Sequence, residues 1–94
     1  MPSENKGGHM KYLKEQLFSD IEGKNINICI TTENSELIYL FKNVYISLDE
    51  ELFSGNEELK INWDKAEIEK ENDLYIIKLP EITYKIYEVV DEYY

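Results

Sequence analysis

Two spacings of apolar residues divide the chain. Leu13, Leu17 and Ile21 recur every fourth position, with Phe18 beside them, and predict an amphipathic helix over 10–22. Lys11, Lys14, Glu15 and Asp20 fall mainly on its other faces, and Gly23 stands where a left-handed residue closes a helix. So short a helix is marginal in water and requires a surface to dock on. From Lys24 the period drops to two. Ile26, Ile28 and Ile30 alternate with Asn25, Asn27, Cys29 and Thr31, which predicts a half-buried strand over 24–32. Glu33-Asn34-Ser35 is a tight turn, because Asn tolerates positive φ. A second strand over 36–47 loses its alternation near Lys42-Asn43, which marks a bulge or a bend and leaves one bent strand or two short ones.

Ser47 and Glu50 have the spacing of a capping box and predict a helical turn through about Phe53, with Leu48 and Leu52 one turn apart. Ser54-Gly55-Asn56 is a loop. Leu59, Ile61 and Trp63 alternate as a third strand. Residues 66–71 form a fourth, with Ala66 and Ile68 on one face and Glu67, Glu69 and Glu71 on the other. After a turn at Asn72-Asp73, strands over 74–79 and 82–90 are separated by Pro80, which cannot donate to a ladder and marks an edge or a corner. Residues 91–94 fray or add a last turn. Leu74 to Val90 is the longest apolar, β-branched and aromatic run, and the other strands are expected to pair around it.

One helix followed by sequential short strands gives the class α+β. The expected architecture is one N-terminal helix packed on a five- to six-stranded, strongly bent antiparallel sheet, or on a partly closed small barrel. A helix followed by bent strands is also the order of Sm-like and SH3-like barrels, but this is a match of topology only. The strand-turn glycines and the basic RNA-binding loop of Sm proteins are absent. Residues 1–9 are polar, Gly-rich and without apolar periodicity, and His9-Met10 is the dipeptide a common cloning site leaves behind. Residues 1–9 therefore read as a tag remnant and residues 10–94 as a single α+β domain. On that reading the sole histidine is not native.

Composition narrows the function classes. No apolar run approaches a membrane span, and no signal peptide is visible after Met10. A single cysteine excludes an intrachain disulfide and agrees with a reducing compartment. Asp plus Glu number 20 against 10 Lys plus Arg, a formal charge of −10, and none of the basic residues is arginine. Direct binding to nucleic acid or to an anionic membrane is disfavoured, whereas a basic protein partner is favoured. Abundant Ile, Asn, Lys, Glu and Tyr, with a single Ala, suggest AT-rich coding, as in a low-GC bacterium or its phage. The expected location is cytoplasmic, in a bacterial or phage-infected host cell.

Chemistry finds little support. Without His9 no imidazole can serve Ser, Thr or Cys as a base, and Cys29 has no basic neighbour in sequence, so it reads as a small strand residue. No Cys-His cluster, calcium-loop spacing or phosphate-cradling glycine loop occurs. No catalytic residue, metal ligand or cofactor is therefore expected, and the protein reads as a non-enzyme. The positive signal is acidic. Glu67, Glu69 and Glu71 at alternate strand positions lie about 6.6 Å apart. Flanked by the cluster from Asp49 to Glu58, they could imitate a phosphate backbone. The candidate partner-binding residues are Glu50, Glu51, Glu57, Glu58, Glu67, Glu69 and Glu71, each pairing with Lys or Arg of the partner. Eight tyrosines, more than so small a core holds, are a second interface signal; Tyr84 reads as core, Tyr93 and Tyr94 as exposed. The leading expectation is an inhibitor or decoy that mimics nucleic acid on a basic nucleic-acid-binding protein. Its character, short, acidic and non-catalytic, is that of small phage anti-defence proteins, anti-CRISPR proteins included, as a class. The alternatives are a self-assembling structural module that forms a homo-oligomer, and an immunity or antitoxin protein for a basic toxin.

Overall fold

The computed structural model describes the backbone of residues 2–89 and the side chains of residues 11–89. Helix α1 (Pro2–Ile21) is followed by strands β1 (Ile26–Thr32), β2 (Glu36–Phe41), β3 (Tyr45–Ile46), β4 (Leu52–Ser54) and β5 (Glu57–Leu59). A 3-10 turn (Trp63–Lys65) leads into β6 (Glu67–Glu71), β7 (Leu74–Lys78) and β8 (Ile82–Glu88). The class is α+β, as the spacing of apolar residues predicts. The helix begins at Pro2 rather than at residue 10. The expected end of the last strand at Val90, and Tyr93 and Tyr94, lie outside the described residues.

Among the described residues every strand pairing is antiparallel. The main sheet has the order β2-β1-β8-β7-β6, and a small second sheet has the order β3-β4-β5. The Leu74–Val90 run thus supplies β7 and β8 at the middle of the main sheet, with β8 between β7 and β1. The main sheet is open: β2 and β6 are its edges, and no pairing joins them. Register puts Ile26, Ile28, Tyr75, Ile77, Tyr84, Ile86 and Ile68 on one face. Leu13, Leu17 and Ile21 of α1 are buried with them, and Val44, Leu52 and Ile61 extend the same core toward the small sheet. The i, i+4 stripe of the helix and the period of two in the strands therefore meet in one cluster, which docks the helix on the sheet.

Gly23 adopts φ 79° and closes α1, as a C′ glycine should. Its N–H donates to the Val44 carbonyl at 2.7 Å, and the Val44 N–H returns to the Lys24 carbonyl at 3.0 Å. The helix end is thereby tied to the break after β2. That break is the predicted one. Asn43 has φ 55°, its N–H is held by the Asn25 side-chain oxygen at 3.0 Å, and the chain leaves the main sheet for the small one. Of the two readings open for residues 36–47, the structure has two short strands, in different sheets.

Two local expectations fail. Residues 47–53 do not form a helical turn. The Ser47 hydroxyl accepts from the Asp49 and Glu51 N–H groups at 3.2 and 3.1 Å, as a cap would. Glu50, however, turns left-handed at φ 63°, and the Ser47 N–H closes a hairpin on the Glu51 carbonyl at 3.0 Å. Leu48 is left fully exposed while Leu52 enters the core. Leu52 gains more by burial in β4, paired with Leu59 of β5, than a one-turn helix could offer both leucines. The predicted strand through Leu59, Ile61 and Trp63 is likewise cut short. β5 ends at Leu59, Ile61 reaches the core from an extended link, and Trp63 opens the 3-10 turn.

Candidate functional site

The outward face of the main sheet is built in rows. Register aligns Glu36, Thr31, Thr83, Lys78 and Glu67 across the five strands, and beside them Ile38, Cys29, Lys85, Ile76 and Glu69. Each row ends at β6 on a carboxylate. Glu67, Glu69 and Glu71 are all exposed on this face, about 6.6 Å apart along the strand. Opposite them stand Lys78, Ile76 and Leu74 of β7. Lys78 reaches the Glu69 carboxylate at 3.2 Å, an exposed pair worth little in stability. An acidic margin therefore runs along one edge, with the lysines Lys78 and Lys85 inboard of it.

The other four candidate carboxylates are elsewhere. Glu57 and Glu58, with Leu59, line a groove of about 240 Å³ against Ile28, Ile30, Tyr39 and Phe41, on the inward side of the opposite, β2 edge. Glu50 lies over the helix side of the sheet, where Lys14 of α1 bonds its carboxylate at 2.9 Å. Glu51 and Glu58 share Lys60 at 3.6 and 3.5 Å, and these two carboxylates, Glu51 foremost, hold the Lys60 ammonium above its ordinary pKa. The expectation of one ladder flanked by the cluster from Asp49 to Glu58 is thus corrected. The hairpin at Ser47–Glu51 and the crossing into the small sheet carry that cluster to the inward side of the main sheet, whereas Glu67, Glu69 and Glu71 face outward. Of the seven glutamates, the fold brings together Glu67, Glu69 and Glu71 on one surface, and separately Glu51 with Glu58 around Lys60.

Trp63 organises the inward side. Its indole N–H donates to the Glu50 carbonyl at 3.1 Å, Phe18 meets it edge-on at 5.5 Å between centroids, and the Lys14 ammonium lies 5.5 Å from its ring centre. Helix, hairpin and 3-10 turn are joined there, which accounts for Glu50 and Lys14 as structural partners. Cys29 is buried on the outward face. Its thiol donates to the Glu36 carboxylate at 3.2 Å, and that bond, followed by burial, pushes its pKa up and keeps it protonated. A hollow of about 810 Å³ is an open dish between the Glu33-Asn34 turn and the Pro80 corner, and its charged lining residues are Glu33 and Glu81. Among the described residues no three His, Cys, Asp or Glu side chains are grouped as a metal would require, and no helix is long and apolar enough to cross a membrane.

Tyr75 and Tyr84 are core residues, whereas Tyr12, Tyr39, Tyr45 and Tyr87 are exposed and stand on four separate elements. The Tyr75 hydroxyl donates to the Asp20 carboxylate of α1. Burial, then that bond, then the Asp20 charge raise the Tyr75 pKa; burial alone raises that of Tyr84. Both phenols keep their protons in the folded state at pH values where the unfolded chain, titrating near 10, has released them. Stability from these groups should therefore be level through neutral pH and fall as pH climbs above about 10, with Tyr75 contributing up to about 1.4 kcal/mol per pH unit and Tyr84 adding in the same direction. Urea midpoints at pH 9 and pH 11 measure this, and Tyr75→Phe should flatten the fall. An unchanged alkaline slope in that variant would show that Tyr75 is not protonated against Asp20.

What sequence reasoning missed is the β2 edge. Leu37, Ile38, Tyr39 and Leu40 are 51%, 63%, 41% and 50% exposed. In sequence the run ELIYLF reads as a buried central strand, and only the strand order places it at a margin. Comparison with protein-family models, curated proteins and solved structures finds no match to this chain.

Proposed function

We propose that the protein is a small, acidic, non-catalytic binding module, an inhibitor or decoy that occupies a basic surface of a larger nucleic-acid-binding protein in a bacterial or phage-infected cell. The observation that carries this reading is the acidic margin: Glu67, Glu69 and Glu71 exposed on one face of an edge strand. A strand holds three carboxylates at fixed spacing without the entropy cost of ordering a loop. Their interval is on the scale of phosphates along a nucleic-acid strand, so a groove that binds phosphates with Lys and Arg can accept them. The formal charge of −10 adds long-range attraction that speeds encounter with a basic partner. A basic toxin bound by an immunity protein would use the same surface.

The test is capture from a lysate of the bacterial host with the protein as bait, with and without nuclease, at low and high salt. The expected result is one basic nucleic-acid-binding protein that survives nuclease treatment, is displaced by duplex DNA and is released near about 1 M salt, where screening reaches about 3 Å. A partner held equally at both salt concentrations, or held only through nucleic acid, would overturn the reading.

A further inference from the structure

We propose that β2 is a self-pairing edge, to which a second copy of the chain adds its own β2 antiparallel, about a two-fold axis through Ile38. This goes beyond the decoy reading and does not depend on it. The backbone directions decide the matter first. The Thr32 N–H donates to the Ser35 carbonyl at 2.9 Å, so Ser35 faces β1. By alternation Leu37, Tyr39 and Phe41, opposite Ile30, Ile28 and Ile26, also turn their N–H and C=O groups toward β1. The same groups of Glu36, Ile38 and Leu40 point away from the sheet, and no described residue bonds them. The next outward-facing residue, Lys42, is closed off. The Ser54 hydroxyl accepts from its N–H at 2.7 Å and donates to its carbonyl at 2.6 Å. The open stretch is therefore three outward-facing residues long and centred on Ile38.

A second β2 matches that stretch in one register. With Ile38 of one copy opposite Ile38 of the other, Glu36 falls opposite Leu40 at both ends, and all the free N–H and C=O groups of both strands pair. A shift of two residues in either direction leaves Glu36 or Leu40 unpaired. The side chains agree with this register. On the inward face Leu37 of each copy meets Tyr39 of the other, and on the outward face the two Ile38 side chains meet on the axis. Charge opposes the pairing on the inward side, where Glu57 and Glu58 of each copy line the groove beside Tyr39, so salt is needed to screen them. The two copies of Glu36 stand four residues apart along the strand, about 13 Å, which exceeds the screening length of about 8 Å at physiological salt. In the resulting ten-stranded sheet the two acidic β6 margins lie at the far ends, about 43 Å apart at about 4.8 Å per strand. The two edges of the monomer are thus treated oppositely. β6 carries the carboxylates that deter edge-to-edge pairing, and β2 carries half-exposed Leu, Ile and Tyr.

The patch is smaller than the roughly 800 Å² per partner of a standard interface, so association in the tens of micromolar is expected. Sedimentation equilibrium of the full chain from about 1 µM to about 1 mM, in enough salt to screen its charge, should show monomer passing to dimer. Over that range the amides of Glu36, Ile38 and Leu40 should gain protection from hydrogen exchange. Ile38→Pro removes one outward N–H and leaves the bonds to β1 in place, and should weaken association at least about tenfold. Ile38→Lys, which sets like charges face to face on the axis, should do the same with the backbone intact, and decides the question if the proline variant does not fold. A wild-type chain that stays monomeric with these amides unprotected would overturn the proposal. So would a dimer that neither variant weakens.

Discussion

Leu17→Ala is expected to remove about 3 kcal/mol of stability, within the usual span of about 2–5 kcal/mol for truncating a buried leucine. Leu17 has no solvent exposure and stands in the middle of the only helical stripe, between Leu13 and Ile21. The helix has no other means of attachment on the same scale, because its polar links, Lys14 to Glu50 and the Asp20 carboxylate to Tyr75, are individually worth about 1 kcal/mol or a little more. Domains of this size have about 5–15 kcal/mol in total and lose about 4–8 °C in Tm per kcal/mol, so a fall of roughly 12–24 °C should follow. Urea or thermal unfolding measures it, followed by circular dichroism and by the emission of Trp63. That side chain packs on Phe18 of the helix and so reports undocking as well as unfolding. Tyr12→Ala, on the exposed side of the helix, should stay within about 0.5 kcal/mol. A loss below about 1 kcal/mol for Leu17→Ala would mean that the helix does not hold the sheet's inward face.

Reversing Glu67, Glu69 and Glu71 together to lysine should abolish partner binding. Each reversal changes the charge by two, so three take the formal −10 to −4 and turn the attractive edge repulsive. Close charge pairs across protein interfaces are worth about 1.5 kcal/mol or more each, so losing three corresponds to at least about a thousandfold in affinity. The fold should survive, because all three side chains are exposed on the outward face. What is lost inside the molecule is the Lys78–Glu69 pair, with like charges then facing Lys78 from position 67, together at most about 1–2 kcal/mol. Glu57→Lys with Glu58→Lys is the matched control. It changes the charge by four on the far, β2 side of the sheet and should weaken binding severalfold at low salt through the long-range field alone. Calorimetry on the captured partner at two salt concentrations separates the cases. Unchanged affinity in the triple variant at low salt would remove β6 as the site.

Much of the fold is legible in local pattern because the signals are short-range. The stripe Leu13, Leu17, Ile21 and the stop at Gly23 define the end of α1, and the alternation of Ile26, Ile28 and Ile30 defines the buried face of β1. The break at Asn43, the turn at Asn72 and the corner at Pro80 follow from residue chemistry at single positions. The capping-box spacing of Ser47 and Glu50 misleads because it serves a hairpin as well as a helix. The hydroxyl bonds two N–H groups in either case, and the choice is made by Leu52, whose burial lies in contacts with distant residues.

Composition and local pattern are enough for the charge, the class α+β, the lack of an intrachain disulfide, and the shared face of β6 on which Glu67, Glu69 and Glu71 stand. All of these depend on composition or on neighbours within a few residues. Strand order is different, since it depends on pairings such as Ile26 with Glu88 that join opposite ends of the chain. That order alone puts β6 and β2 at the margins, makes the glutamate ladder an accessible edge, and exposes a strand whose composition is that of a core. It also carries Glu50, Glu51, Glu57 and Glu58 to the other side of the sheet from the carboxylates they neighbour in sequence. Burial is a property of the packed whole: a strand is covered on both edges only if a neighbour pairs with each, and here β1 pairs with one edge of β2 while no described strand pairs with the other.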